Sequence, residues 1–230
     1  MKICVVIPAY NEENYIKIIV ATLKSYGLDV IVVNDGSTDH TAAWANMSGA
    51  LVLSHTKNKG KGKSLKTGFD YCIEHDYDAV ITMDADGQHG CQEVKKFIEK
   101  FKEKNSDLII GNRMHNPKNM PLVRKLTNIF TSNIISRLIK QQIEDSQCGF
   151  RLIKTEILKK MSLSTNKYDL ESEMIFEIAQ LHGKIESVEI SSIYRGQNSR
   201  INPWIDTYRF MRLIIRRLVE RRKKPRQKNI

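Results

Sequence analysis

Ala79-Val80-Ile81-Thr82-Met83-Asp84-Ala85-Asp86-Gly87-Gln88-His89 runs from a short apolar stretch straight into two carboxylates separated by one small residue. The apolar part, Ala79 to Met83, reads as a buried strand. Its end places Asp84 and Asp86 at the carboxyl edge of a sheet, where open α/β sheets bind their ligands. An Asp-x-Asp pair offers hard oxygen ligands on one side of the backbone, which suits Mg²⁺ or Mn²⁺ carrying a diphosphate. Ala85 leaves room, Gly87 allows a sharp turn and Gln88 adds a neutral oxygen. A bare Asp-x-Asp also occurs often as a turn with two solvated aspartates, so the flanking chain has to decide between the two readings.

Outward from this stretch the chain alternates. On the N-terminal side, Lys2 to Pro8 (KICVVIP) is a β-branched strand. Asn11 is expected to cap a helix from Glu12 to about Tyr26, with Ile16, Ile19, Val20 and Leu23 as its buried stripe and Gly27 as its end. Val30 to Val33 is a second strand, and Ser37 or Thr38 is expected to cap a helix that Gly49 ends. Leu51 to Leu53 is a third strand. Lys57 to Gly62 (KNKGKG) is a basic, glycine-rich loop opening a helix over Ser64 to His75. On the C-terminal side, a helix over Gln92 to Lys104 and a strand over Leu108 to Gly111 follow. Helical Leu122 to Ile139, strand-like Cys148 to Ile153, helical Leu170 to Leu181 and a strand over Ile185 to Ile193 supply the acceptor side of a cleft. This alternation predicts a mostly parallel sheet with helices on both faces.

A length of 230 residues suits one α/β domain with an appendage. The 41% hydrophobic fraction is that of an ordinary globular protein, which excludes a disordered or fibrous chain. Cys4, Cys72, Cys91 and Cys148 form no C-x-x-C pair, so neither a zinc site nor a disulfide framework is expected, and the chain reads as a reduced cytoplasmic protein. No secretory signal is expected, because the first residues run into a strand. No apolar run approaches the ~20 residues that cross a bilayer.

Charge is uneven. Residues 209–230 hold ten basic residues and one acidic, Glu220, so they carry +9 of the net +11 and the other 208 residues carry +2. A nearly neutral body argues against nucleic acid as a partner. After Pro203, Trp204, Tyr208, Met211, Ile215 and Leu218 share one helical face, Arg209, Arg212 and Arg216 gather on another, and Phe210 and Leu213 fall outside the apolar stripe. This basic amphipathic helix and tail, residues 203–230, is expected to lie on an anionic membrane surface, with packing on a body at 1–202 as the alternative.

Four motifs converge on one sheet edge: Pro8-Ala9-Tyr10-Asn11-Glu12, Asp35-Gly36-Ser37, Asn58-Lys59-Gly60-Lys61-Gly62 and Asp84-Ala85-Asp86-Gly87-Gln88. In this order and spacing they resemble the family 2 glycosyltransferases of the Rossmann-like GT-A fold. The likeness is greatest to the branch that includes dolichyl-phosphate mannose synthase and the polyprenyl-phosphate glycosyltransferases. Gly111-Asn112-Arg113 and Asp145-Ser146-Gln147-Cys148-Gly149-Phe150-Arg151 match later motifs of that branch. The second strand ends in Asn34-Asp35, where many relatives have two acidic residues, so only Asp35 is carried over. Several relatives carry membrane-spanning helices after the catalytic domain, whereas this chain offers only its basic tail.

The resemblance implies a metal-dependent, inverting hexosyl transfer from a GDP- or UDP-linked sugar to a lipid phosphate at the cytoplasmic membrane face. It implies that Pro8, Tyr10, Glu12 and Asp35 hold base and ribose, and that Lys61 and Lys63 line the nucleotide side. Asp84, Ala85 and Asp86 would form the diphosphate site, with Asp84, Asp86 and Gln88 as ligands of Mg²⁺ or Mn²⁺. Arg113 and Arg124 would face phosphate oxygens, and Arg195 and Arg200 would cover the site from a loop. Arg151 is expected to be structural, pairing Glu171 or Glu173, and His89 to stand behind the site or on the surface. Asp145 either orients an arginine or, if the acceptor is a sugar hydroxyl on a glycolipid or polysaccharide, acts as the base. A non-catalytic nucleotide-sugar-binding membrane protein is the alternative from another class.

Overall fold

The structure, a computed structural model, describes residues 1–117, 120–167, 169–191 and 210–216. The chain divides into two compact units, Met1–Gly196 and Gln197–Ile230. The expected boundary at 202/203 lies outside the described residues.

The first unit is built on a seven-stranded sheet. Its strands are β1 (Ile3–Ala9), β2 (Asp29–Asn34), β3 (Leu51–Ser54), β4 (Ala79–Thr82), β5 (Leu108–Asn112), β6 (Arg151–Lys154) and β7 (Ile185–Glu189). They lie in the order β3-β2-β1-β4-β6-β5-β7. β1 is parallel to β2 and to β4, with Val6 opposite Ile31 on one side and Thr82 on the other. Ile3 to Ile7 and Val30 to Val33 are all buried, as strands covered on both faces must be. The order reverses at β1, with β2 and β3 to one side and β4 to the other. That reversal opens a crevice at the carboxyl ends of β1, β2 and β4, the ligand position of an open α/β sheet. β6 departs from the parallel pattern: it runs antiparallel between β4 and β5.

Helices α1 (Glu13–Ser25), α2 (Thr41–Met47), α3 (Lys61–Glu74), α4 (Val94–Lys104), α5 (Leu122–Ile139), α6 (Thr155–Leu158) and α7 (Leu170–Gln180) complete the unit. α1 buries Ile16, Ile19, Val20 and Leu23, the stripe its spacing predicts. α5 has the bounds read from the sequence, and α7 packs against it. The four thiols are free, and Cys4, Cys72 and Cys148 are buried.

Local chemistry corrects several expectations. Asn11 does not cap α1; it adopts a positive φ of 53° and its side-chain oxygen accepts the Thr38 N–H. Glu12 N–H donates to the Thr41 hydroxyl, so the start of α1 is stitched to the start of α2. At α2, Asp39 and neither Ser37 nor Thr38 accepts the Thr41 N–H. α3 begins at Lys61, which brings Lys61 and Lys63 into its first turn. β6 starts at Arg151 and β7 ends at Glu189, shorter than the apolar runs suggest. In the tail, residues 210–216 are helical, with Phe210, Leu213 and Ile214 buried and Met211 and Ile215 exposed. Phe210 and Leu213 therefore belong to the buried side, and the stripe through Met211 and Ile215 faces outward. Trp204, Tyr208, Arg209 and Leu218 lie outside the described residues.

Candidate active site

β4 ends at Thr82, and the chain turns through Asp84 and Asp86 into the crevice. Asp86 closes the turn by accepting the Gln88 N–H at 2.9 Å. Gly87 has a φ of 72°, and a Cβ there would lie 2.9 Å from the Tyr15 ring, so the turn needs glycine twice over. Ala85 is buried at its centre.

Asp84 is held from α3. The Lys61 ammonium lies 2.6 Å from Asp84 Oδ1 and 2.8 Å from Glu171 Oε1, bridging the turn to α7. Gly149 makes room for this: a Cβ there would lie 2.8 Å from Lys61 Nζ and 2.9 Å from Asp84 Oδ2. Burial by itself favours neutral forms, but each charge answers the other. Asp84 is held well below the usual carboxylate range by Lys61, and Lys61 is held above its ordinary value by Asp84 and Glu171. Asp86 goes the other way, pushed up by burial and then by the charge of Asp84. His89 is buried behind the turn with its ring edge-on to Phe150, and Nε2 is 3.7 Å from Asp84 Oδ2. A surface role for His89 is thereby corrected.

On the nucleotide side, Asp35 is buried and committed to the glycine-rich loop. Its carboxylate accepts the N–H groups of Lys59 and Gly60 at 2.9 and 2.7 Å and lies 2.7 Å from His55 Nδ1. His55 Nε2 in turn meets the Thr67 hydroxyl on α3. Asp35 thus fixes the loop that delivers Lys61, rather than standing open in the crevice. Pro8 lies near the end of β1, half-buried, Tyr10 is exposed just beyond it, and Glu12 and Lys63 are half-buried. All of them border the same edge.

On the far side, Arg113 leaves the end of β5 and meets Asp145. Asp145 accepts the Arg113 main-chain N–H, Nε at 2.7 Å and Nη2 at 2.8 Å, and also the Asn128 amide at 2.7 Å from α5. Burial would raise Asp145, but Arg113 outweighs it and the carboxyl is held below its ordinary value. Behind it, Thr131 and Ser132 of α5 bond Ser146. Arg124 is half-buried in the first turn of α5. Arg195 and Arg200 lie outside the described residues. Arg151 is wholly buried and structural, but its partners are the carbonyls of Cys148, Ser146 and Glu171; the Glu171 carboxylate belongs to Lys61, and Glu173 receives Ser164 and Thr165.

Residues that the sequence did not single out are therefore His55, Asn128 and Ser132, and Glu171 was expected only as a partner of Arg151 and not of Lys61. Only the α5 pair had a signal, a polar stripe at helical spacing.

The model of glycosyl transferase family 2 matches residues 4–162.

The chain belongs to glycosyl transferase family 2.

The glycosyltransferase is 32% identical over 228 residues to the UDP-N-acetylglucosamine–dolichyl-phosphate N-acetylglucosaminyltransferase of Methanococcus voltae, covering 86% of this chain and 91% of the relative. It is 28% identical over 208 residues to the undecaprenyl-phosphate mannosyltransferase of Micrococcus luteus, covering 85% of each. Its fold is that of the glucosyl-3-phosphoglycerate synthase of Mycobacterium tuberculosis, solved with Mn²⁺, UDP-glucose and phosphoglyceric acid. That match has a TM-score of 0.73 at 21% identity and covers 98% of this chain and 81% of the other.

The residues present fit a divalent cation. Among the described residues no three His, Cys, Asp or Glu side chains gather as a closed metal cage. Asp84 and Asp86 on the turn, with Gln88 following them, would instead offer an open oxygen set that substrate phosphates complete, the manner in which Mg²⁺ is usually held.

Proposed function

We propose that this glycosyltransferase moves a hexose from a GDP- or UDP-linked donor to a polyprenyl phosphate at the cytoplasmic membrane face, with inversion and without a protein base. The observation that carries the reading is Asp145. Its carboxylate accepts four hydrogen bonds from Arg113 and Asn128, and Arg113 holds it below its ordinary value, which makes it a poor proton acceptor. A sugar-hydroxyl acceptor needs a base, whereas a phosphate oxygen is already anionic near neutral pH, its second pKa being ~6. The names of the relatives, which act on dolichyl and undecaprenyl phosphate, support the same acceptor class.

In this mechanism an acceptor phosphate oxygen attacks the anomeric carbon as the bond to the nucleoside diphosphate breaks on the opposite side. The leaving group takes the bonding electrons, and no proton moves. Asp86, with Asp84 and Gln88, would hold Mg²⁺ or Mn²⁺, which when bound neutralises charge on the diphosphate. Arg113, fixed in plane by Asp145, together with Arg124, Arg195 and Arg200, supplies the positive charge that lets two anions approach. Lys61 keeps the turn charged and in place. No helix among the described residues is long and apolar enough to cross a membrane. Attachment at the membrane surface is part of the proposal, on the strength of the basic residues 209–230.

The test is a donor screen with divalent metal, read as nucleoside diphosphate release with and without a polyprenyl phosphate. Asp145→Asn and Arg200→Ala are assayed beside the parent. Release stimulated by the lipid phosphate, a partial loss in Asp145→Asn and a heavier loss in Arg200→Ala through raised KM are expected. An inactive Asp145→Asn rescued by a small exogenous base identifies a hydroxyl acceptor and overturns the proposal.

A further inference from the structure

Helix α5 is built inside out. Its inward face carries Asn128, Thr131 and Ser132, all buried and engaged with Asp145 and Ser146. Its outward face carries Leu122, Val123, Leu126, Ile129 and Phe130, exposed by 69%, 64%, 57%, 39% and 56%. Leu122, Leu126 and Phe130 follow at four-residue spacing and so form one stripe along the helix, with Val123 and Ile129 beside it. An ordinary surface helix shows the reverse arrangement. A contiguous exposed apolar patch of this kind marks a docking surface. Arg124, Lys125 and Arg137 interrupt the helix, and it is not apolar enough to span a bilayer, so its occupant must meet it from the side.

The charge around the patch says what that occupant is. Residues 113–140 hold six basic residues (Arg113, Lys118, Arg124, Lys125, Arg137, Lys140) and no acidic one. The rest of residues 1–208 carries a net −4. The apolar stripe thus lies on a segment whose own charges are all positive, with Glu144 beside it at the Ile129 end. Such a face is complementary to the headgroup layer of an anionic bilayer, where side chains enter the acyl boundary and the cations stay with phosphates. A second copy docked through the same face would bring two such cationic segments together, which the self-complementary geometry of a dimer penalises.

We propose that the outward face of α5 docks on an anionic bilayer with the helix lying in the plane of the surface. The inward face of the same helix holds the Arg113–Asp145 pair, so docking brings the acceptor side of the crevice down to the headgroups. The contact is made by residues of α5 rather than by those of the C-terminal tail, and it rests on the proposed lipid-phosphate acceptor only for its purpose.

The experiment uses the full chain and vesicles of phosphatidylglycerol and phosphatidylcholine, with neither donor nor acceptor. Binding is thereby read independently of transfer, and a failed lipid-acceptor assay leaves this result standing. Phe130→Cys in a Cys91→Ser background is labelled with a polarity-sensitive fluorophore, the remaining thiols being buried. Ile18→Cys, at an exposed apolar position on α1, is the control. The label at 130 shifts to the blue on vesicles and is quenched by nitroxide-bearing lipid, while the label at 18 stays in water. The pair Leu126→Glu with Phe130→Glu keeps its thermal midpoint and loses about tenfold or more in vesicle affinity, as expected when two apolar anchors are removed. A label at 130 that stays in water on vesicle-bound protein overturns the proposal. So does a shift that appears with rising protein concentration in the absence of vesicles, or one equally large on phosphatidylcholine alone.

Discussion

An ammonium taken out of water keeps its charge only where carboxylates replace the solvent, and Lys61 has two of them. Asp84 and Glu171 lie 2.6 and 2.8 Å away, on a turn and on a helix that share no other direct ion pair among the described residues. Lys61 and Asp84 are half-buried and Glu171 is buried. Removing the lysine leaves two carboxylates unbalanced in a partly screened site, so Lys61→Met should cost up to about 3 kcal/mol of stability, the low end for a buried pair, read from the denaturant midpoint. Asp86 is the opposite case. It is pushed up by burial and by the charge of Asp84, a repulsion that an amide in its place does not feel. Asp86→Asn should therefore fold normally and lose at least ~100-fold in rate, the scale of a principal charge-stabilising group. Full activity of that variant, or of the parent in chelator, would show that no divalent cation serves the reaction. The two aspartates were legible in the sequence as a pair. Their division of labour was not, because it depends on which one a lysine from another element reaches.

At the scale of elements, the junction of β5, α5 and the loop around Asp145 is the polar counterpart of a core. Four donors converge on one buried carboxylate, two of its bonds coming from the Arg113 guanidinium. Its pKa in the folded protein lies below the unfolded reference of about 3.9. The sign follows: the stabilisation is complete above the unfolded value and is lost as pH falls through the folded one. The stability difference between the parent and Asp145→Asn should accordingly be largest near neutrality and shrink as pH drops below about 4, measured by urea unfolding across pH. Constancy of that difference would mean that Asp145 is not ionised in the fold. Helix α5 itself was readable to the residue at both ends, Leu122 and Ile139. Its polar stripe and its apolar stripe both have helical spacing, however, and spacing does not say which one faces the sheet. Asp145 decides that, since a buried carboxylate has to be given donors and the polar stripe supplies them.

At the scale of the whole molecule, the near-neutral body with +2 and the residues 209–230 with +9 predict attachment that is electrostatic at first contact. Binding of the full chain to anionic vesicles should weaken steeply as salt rises from low values to ~0.5 M, where screening shortens the reach of each charge to a few ångströms. Co-sedimentation at each salt concentration measures it, and salt-independent binding would assign the attachment to apolar contacts alone. Removal of residues 203–230 should weaken binding further, and the α5 face sets what remains. The sequence by itself determined the alternating strands and helices, the crevice edge where four motifs meet, and the family. These are written in local patterns, the period of apolar residues and the few residue types that a tight turn or a diphosphate tolerates. Only the tertiary structure decided that β6 enters antiparallel between β4 and β5. The same holds for Asp35 anchoring the loop that carries Lys61, for Glu171 completing the lysine's charge, and for α5 turning its apolar face outward. Each of these is a pairing between segments distant in the chain, chosen because buried charges and backbone groups must find partners, and no local pattern records which partner is found.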